Sequence, residues 1–109
     1  MHLSSSSITG TKVRNGQGDD LGKIEDLMVD VSSGEVSYAV LSFGGFLGIG
    51  DKLFAVPLRA MTVDTKDEEF ILNESKERLE NAPGFDKDHW PNTADPEWHN
   101  QVNTYYNTH

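Results

Sequence analysis

The sequence predicts a small all-β protein, an antiparallel β-barrel followed by short C-terminal helices. Three observations support this fold class. Apolar and polar residues alternate with period two in several short segments before residue 74. Clusters of Gly, Asn, Asp and Ser separate these segments at short intervals, as in small β-barrels. After residue 74 the pattern changes to helix-start and helix-stop signals, and 109 residues suit one small domain.

The N-terminal half reads as a polar leader followed by strands. Residues 1–7 are serine-rich and predict a disordered leader. Residues 11–14 predict a first short strand, and the Gly- and Asp-rich residues 15–20 predict a turn. In residues 22–31 the alternation places Leu27, Val29 and Val31 on one face, so we expect this face to be buried. The run Ser-Ser-Gly-Glu at 32–35 predicts a tight hairpin turn.

The middle of the chain predicts the centre of the sheet. Residues 36–43 are apolar on both faces, which is typical of a central strand. The glycine-rich run FGGFLGIGDK then leads into a strand at 53–56. Pro57 is expected to end this strand or to mark a bulge or an edge, because it has no N–H to donate. Residues 61–65 and 69–73 predict a last hairpin around a turn at 66–68.

The C-terminal part predicts two helices separated by an irregular stretch. Ser75 is the expected N-cap of a short helix that ends before the Ala-Pro-Gly run at 82–84. Residues 85–93 show no regular pattern. Asp95 as N-cap, followed by a proline and an acidic first turn, predicts a helix that runs to about residue 106. Trp98, Val102 and Tyr105 form one stripe on it that must dock on another surface.

Composition excludes several classes of function. The formal net charge of −9 repels phosphate backbones and anionic membrane surfaces, so we expect no binding to nucleic acid. The absence of cysteine excludes disulfides, thiolate catalysis and cysteine zinc sites. The sequence shows neither a signal peptide nor an apolar run of the ~20 residues that a membrane span needs. We therefore expect a soluble cytoplasmic protein without direct membrane insertion.

The motifs give no support for catalysis or for a bound cofactor. In the glycine-rich run, Gly45 and Gly50 have the spacing of a phosphate-binding loop, but Asp51 stands where the essential lysine would be. No G-x-S-x-G nucleophile motif occurs. The histidines lack zinc-ligand spacing, and His99 is expected on the surface, within reach of Asp95 or Glu97. We expect no enzyme activity, no cofactor and no metal, with a weak cation site at Asp19 and Asp20 as a minor alternative.

Two parts of the sequence carry a family resemblance: GTKV with DLGKI, and the run FGGFLGIGDKLFAVPLRAM with its strand-ending proline. Together they resemble the opening hairpin and the later strands of the PRC-barrel domain, the small β-barrel named from the cytoplasmic domain of the photosynthetic reaction-centre H subunit. The same fold occurs in the C-terminal domain of the ribosome-maturation factor RimM. The segment GFDKDHWPNTADPEWHNQVNTYY is similar to extensions of stand-alone bacterial members. The resemblance implies a disordered leader at 1–7, a barrel domain at 8–80 and an aromatic extension at 81–109.

The resemblance also implies a binding or scaffolding module, because the family has no shared catalytic residues. We expect self-association, as a homodimer, or contact with another protein through apolar side chains of the glycine-rich loop and the tail. The aromatic tail either folds back on its own barrel or crosses to a second subunit. A regulatory domain that binds a small ligand or metal ion through acidic turns is the alternative. The interface candidates are Phe46, Leu47, Ile49, Trp90, Trp98, Val102 and Tyr105.

Overall fold

The computed structural model describes residues 2–43 and 52–108 and shows a mostly β architecture. Over these ranges seven strands form one sheet in the order β5-β6-β1-β2-β3-β4-β7. Neighbouring strands are antiparallel except β1 and β6, which run parallel, contrary to the expected fully antiparallel arrangement. The strands are β1 (Lys12–Arg14), β2 (Asp20–Asp30), β3 (Glu35–Phe43), β4 (Lys52–Pro57), β5 (Met61–Asp64), β6 (Glu69–Leu72) and β7 (Gly84–Phe85).

The sheet is strongly curled. In the strand order β4 and β5 lie five positions apart, yet only the 3-10 turn Leu58–Ala60 joins them. In a flat sheet, strand spacing would separate them by ~24 Å. The chain from Pro57 to Met61 can span at most ~14 Å. The sheet must therefore curve so that β5 approaches β4, although the hydrogen-bonded order of the described strands stays open, with β5 and β7 at its two ends.

Bulges interrupt the regular pairing of β2 with its two neighbouring strands. Glu25 on β2 and Ser37 on β3 have no directly opposed partner in the ladder. A further register shift against β1 buries Leu21 and Ile24, three residues apart, in the core. The predicted buried face of Leu27, Val29 and Val31 is wrong, since Leu27 is half-buried and the two valines are exposed. Residues 29–35 are exposed without interruption, so this end of the hairpin has little of the sheet to pack on.

β3 and β4 are buried on both faces, as predicted for β3. Residues 38–42 and 53–57 are buried without interruption. One face carries Leu41 paired with Phe54, and it faces the core of the curled sheet. The other face carries Tyr38, which meets the C-terminal helix. Pro57 ends β4 opposite Tyr38, in agreement with its predicted role.

Three helices complete the described chain: α1 (Ser5–Ile8), α2 (Lys76–Glu80) and α3 (Pro96–Tyr106). The turn α1 lies where a disordered leader was expected, with Ser4 as its N-cap. Ser75 caps α2 and Asp95 caps α3, as predicted from sequence. In residues 2–43 and 52–108 no helix combines the length and the apolar character that a bilayer crossing requires.

α3 folds back onto the sheet of its own chain. It packs against β4 and buries Val102 and Tyr106, which are 1% and 7% exposed. The buried pair differs from the predicted stripe, because Tyr105 is half-buried and contacts α2 instead. Gly84, predicted as part of a helix stop, and Phe85, predicted to be irregular, form β7 and extend the sheet beside β4. β7 thus belongs to the sheet, and α3 lies over the sheet as a second layer.

Candidate interaction surface

The tail is held to β3 by a network of side-chain hydrogen bonds centred on Tyr38. The Tyr38 hydroxyl lies 2.7 Å from Nδ1 of His99, and Nε2 of His99 lies 2.6 Å from the carbonyl oxygen of Thr93. A carbonyl can only accept, so Nε2 carries the proton and, in a neutral ring, Nδ1 accepts from the tyrosine. Asn103 Nδ2 donates to Tyr38 Oη at 3.1 Å and to the carbonyl of His99 at 2.8 Å. Every donor in this network has an acceptor.

The sequence analysis expected His99 to lie on the surface, near Asp95 or Glu97. It is instead half-buried between β3 and the tail, with its ring beside those of Tyr38 and Trp98. Burial raises the pKa of Tyr38, while its hydrogen bond with Asn103 and the positive field of Arg59 act in the opposite direction. The network fixes the position of the tail relative to the β2–β3 hairpin.

A groove of about 700 Å³ runs between the end of the β2–β3 hairpin and this tail segment, and we call it the hairpin–tail groove. Its hairpin wall consists of Met28, Val29, Asp30, Val31, Ser37 and Tyr38. Its tail wall consists of Trp90, Thr93, Ala94 and His99. The groove is therefore a predominantly apolar channel with one carboxylate, and Tyr38 and His99 connect its two walls.

The groove concentrates the exposed apolar side chains of the described residues. Five large hydrophobic side chains are exposed in those ranges: Leu3, Val29, Val31, Val63 and Trp90. Three of them line the groove, with exposures of 53% for Val29, 92% for Val31 and 45% for Trp90. Single exposed hydrophobics are ordinary, but a contiguous group of them marks an interaction site. This groove is the strongest candidate for such a site.

The acidic group in the groove is ionised at neutral pH. The Asp30 carboxylate accepts from the Ser32 hydroxyl at 2.6 Å and from the Ser32 backbone N–H at 3.0 Å. These two bonds hold the pKa of Asp30 below its ordinary value. The same bonds close the hairpin turn that carries Val31. The turn thus orients an apolar side chain and a negative charge side by side.

The structure separates the predicted interface residues into different environments. Phe46, Leu47 and Ile49 lie outside the described residues. Val102 is buried inside its own chain, which removes it from the surface. Trp98 is half-buried, with its ring edge-on to Tyr38 at 5.2 Å, so it serves mainly to dock α3.

The remaining two interface candidates, Trp90 and Tyr105, make different contacts. Trp90 packs against Phe85 at 5.0 Å and stays exposed on the groove. The ring of Tyr105 lies under the Arg78 guanidinium, 4.0 Å from its centroid, and the hydroxyl donates to the Arg78 carbonyl. Tyr105 therefore ties α3 to α2, and Trp90 is the predicted residue that the structure brings to the candidate surface.

The carboxylates of the turn at residues 15–20 accept hydrogen bonds from groups close to them in the chain. Asp19 accepts from the Asn15 side chain at 3.0 Å, and Asp20 accepts from the backbone N–H of Gly22 at 2.8 Å. Within residues 2–43 and 52–108, no group of three or more His, Asp or Glu side chains is close enough to hold a metal ion.

Sequence reasoning missed most of the hairpin wall. Val29 and Val31 were assigned to a buried face, while Tyr38 is buried in a central strand as predicted but was given no part in a site. The period of two places the valines on one face, but it does not show where packing along the hairpin ends. The position of Val31 beside the Ser-Ser-Gly turn was the available clue, because a side chain at a hairpin tip has little sheet to pack on.

Comparison with known proteins agrees with the architecture. The profile of the PRC-barrel domain family matches residues 2–79, more than half of the chain. A search of curated proteins found no match to the sequence. The matched range ends within α2, so β7, α3 and the tail wall of the groove lie outside it.

Proposed function

The chain belongs to the PRC-barrel domain family, and from that premise we propose that it is a non-catalytic protein-interaction module. We take the curled sheet to be the family's barrel, closed around the core beneath β3 and β4. The barrel supplies a rigid support, and the hairpin–tail groove supplies the binding surface. The sequence carries no nucleophile motif or zinc-ligand spacing, so binding is the role that its residues suit.

The observation that carries this proposal is the cluster of exposed apolar side chains in the groove. Val29, Val31 and Trp90 expose apolar area that folding of the described chain leaves uncovered. The hydrogen bonds of Tyr38, His99 and Asn103 hold the walls in place before any partner arrives. A preformed apolar surface loses little conformational entropy on binding, which favours affinity.

The test of the groove compares two exposed valines. Val31→Ser removes apolar area inside the groove, and Val63→Ser removes it on β5, away from the groove. We expect a partner captured by the wild-type protein from its own cell extract to be lost by Val31→Ser and kept by Val63→Ser. Equal capture by the two variants would reject the groove as the binding surface.

We also propose that the protein self-associates as a homodimer through the glycine-rich run that contains Phe46, Leu47 and Ile49, which the sequence predicts to be a loop. This part of the proposal rests on sequence, since an apolar run in a loop between strands suits an intermolecular contact. Light scattering on a sizing column measures the mass. We expect a dimer for the wild-type protein and a monomer with unchanged thermal unfolding for Phe46→Ser. A wild-type monomer at all concentrations would contradict self-association.

A further inference from the structure

We propose that the hairpin–tail groove binds an extended polypeptide segment that alternates apolar and basic residues, with a lysine or arginine placed between Asp30 and Trp90. This inference rests on the proposed function and adds the chemistry of the partner. Three features of the groove support it: the charge of its walls, the exposed aromatic ring and the exposed valines.

The two chain segments that form the groove are rich in negative charge, and Asp30 is the carboxylate among the described residues that line it. Residues 26–38 and 86–99, which include both walls, contain seven carboxylates and one lysine. Asp26, Asp30, Glu35, Asp86, Asp88 and Glu97 are exposed, and Asp95 is half-buried. Among the described residues, no lysine or arginine lines the groove. Such a field attracts a basic segment and speeds its association.

The aromatic wall suits a cation. One side of the Trp90 ring packs against Phe85, while 45% of the residue stays exposed at the groove. Tryptophan is the best aromatic partner for lysine or arginine, and a nearby carboxylate adds a direct ion pair. Asp30 is on the opposite wall of the same groove. A cationic side chain entering between the walls could therefore meet a ring and a carboxylate together.

The exposed valines are the reason why the bound segment must also contain apolar residues. Val29 and Val31 are exposed on the hairpin wall, one on each side of Asp30 in the sequence. An extended segment presents alternate side chains to opposite faces. Its basic residues can therefore pair with the Asp30 carboxylate while its apolar residues contact the valines. A second copy of this chain is a poor occupant of the groove, because its net charge of −9 would place like charges together.

The experiment is an NMR titration of the full chain with three synthetic octapeptides, acetylated and amidated. One alternates lysine with valine, one alternates glutamate with valine, and one alternates lysine with serine. The indole N–H signal of Trp90, assigned with Trp90→Phe, reports occupancy of the groove. We expect the lysine–valine peptide to shift this signal saturably, the glutamate–valine peptide to leave it unmoved, and the lysine–serine peptide to bind about fivefold more weakly.

Two variants locate the contacts. Asp30→Asn keeps an acceptor for the turn but removes the charge, and it should weaken binding of the lysine–valine peptide about fivefold. Val31→Ser should weaken the same peptide to a similar degree, whereas Val63→Ser should not change it. Binding should also fall as salt rises from 20 to 300 mM, because the charges lie at an exposed surface.

Two results would overturn the inference. One is equal or tighter binding of the glutamate–valine peptide, and the other is an unmoved Trp90 signal with millimolar lysine–valine peptide. Either result leaves the proposed function standing if Val31→Ser still loses a cellular partner that Val63→Ser retains. If the two valine variants capture the same proteins, the proposed function itself fails, whatever the peptides do.

Discussion

Gly22 on β2 is a residue whose identity the structure requires for two reasons. Its φ of +96° is unfavourable for any side chain, and a Cβ would lie 2.1 Å from the carbonyl oxygen of Ser42 on β3. Both constraints come from the register shift where β1, β2 and β3 meet. A single glycine thus permits the bulge that buries Leu21 and Ile24 together.

We expect Gly22→Ala to lower the free energy of unfolding by about 3 kcal/mol, because backbone strain and a clash with backbone atoms add. Gly18→Ala is the matched control. Its φ is +88°, but nothing lies within 4 Å of the new Cβ, so it should cost about 1 kcal/mol. Urea denaturation measures both, and equal losses would show that close approach to β3 is unimportant.

Tyr105 and Tyr106 are adjacent tyrosines in opposite situations. The Tyr106 hydroxyl is buried and has no hydrogen-bond partner among the described residues, whereas that of Tyr105 donates to Arg78. We expect Tyr106→Phe to raise the free energy of unfolding by about 1 kcal/mol, and Tyr105→Phe to lower it by about 1 kcal/mol. Chemical denaturation of both variants tests the pair. Destabilisation by Tyr106→Phe would mean that its hydroxyl has a partner after all.

The same tyrosine makes stability depend on alkaline pH. Burial, with smaller effects of neighbouring groups, raises the pKa of Tyr106 well above the ordinary value of about 10. Its contribution to stability is therefore complete below about pH 10 and is lost as the pH rises further, because the unfolded chain ionises first. Tyr106→Phe should reduce the loss of stability between about pH 10 and 12.

At the scale of elements, one arginine joins the parallel pair β1–β6 to β5. Arg14 on β1 donates to Asp64 on β5 at 2.7 Å and to Glu69 on β6 at 2.9 Å. Asp64 also accepts from the backbone N–H groups of Asp67 and Lys66, at 3.2 and 3.0 Å. The Asp67 N–H is the main cause of a lowered pKa at Asp64, with Lys66 and Arg14 contributing.

This lowered pKa predicts acid sensitivity of the β5–β6 hairpin. A carboxyl whose pKa is lower in the folded state stabilises above its unfolded value of about 3.9, and the effect is lost as the pH falls through the folded value. We expect Asp64→Asn, which keeps the turn acceptor, to flatten the decrease of unfolding free energy below about pH 4. An unchanged slope, measured by urea denaturation at each pH, would contradict this role.

The docking of α3 is a second element-scale feature, and it accounts for the burial of both faces of β3 and β4. We expect Val102→Ala to lower the free energy of unfolding by about 2 kcal/mol, because this side chain is fully enclosed. Trp98→Ala, which removes the ring against Tyr38, should cost about 2 kcal/mol. The exposed Gln101→Ala is the control, with a change within about 0.5 kcal/mol. Equal effects at the three positions would reject α3 as a packed layer.

For the whole molecule, the excess of negative charge is the dominant electrostatic property. A net charge of −9 on 109 residues repels itself when the chain is compact. We expect the thermal midpoint at pH 7 to rise as sodium chloride increases from 10 to 150 mM, because screening weakens that repulsion. Calorimetry measures the shift. A falling midpoint would mean that the attractive ion pairs, those of Arg14 and that of Arg78 with Glu74 at 3.1 Å, outweigh the repulsion.

Much of the fold could be predicted from local sequence signals. The structure confirms the helix caps Ser75 and Asp95, the hairpin turns, and the burial of β3 on both faces. Each of these features depends on residues close together in the chain. The resemblance to the PRC-barrel domain is likewise confirmed by the match over residues 2–79. These features depend on short-range backbone preferences and on side-chain periodicity, which a sequence displays directly.

The candidate site could not be predicted in the same way. Val29 and Val31 are exposed because residues 29–35 extend beyond the packed part of the sheet, and Trp90 reaches the same groove from the tail, about sixty residues away. The sequence by itself determined the strand content, the caps, the charge and the family. Only the tertiary structure decided which side chains share a surface, because strand register and long-range packing depend on contacts that no local pattern records.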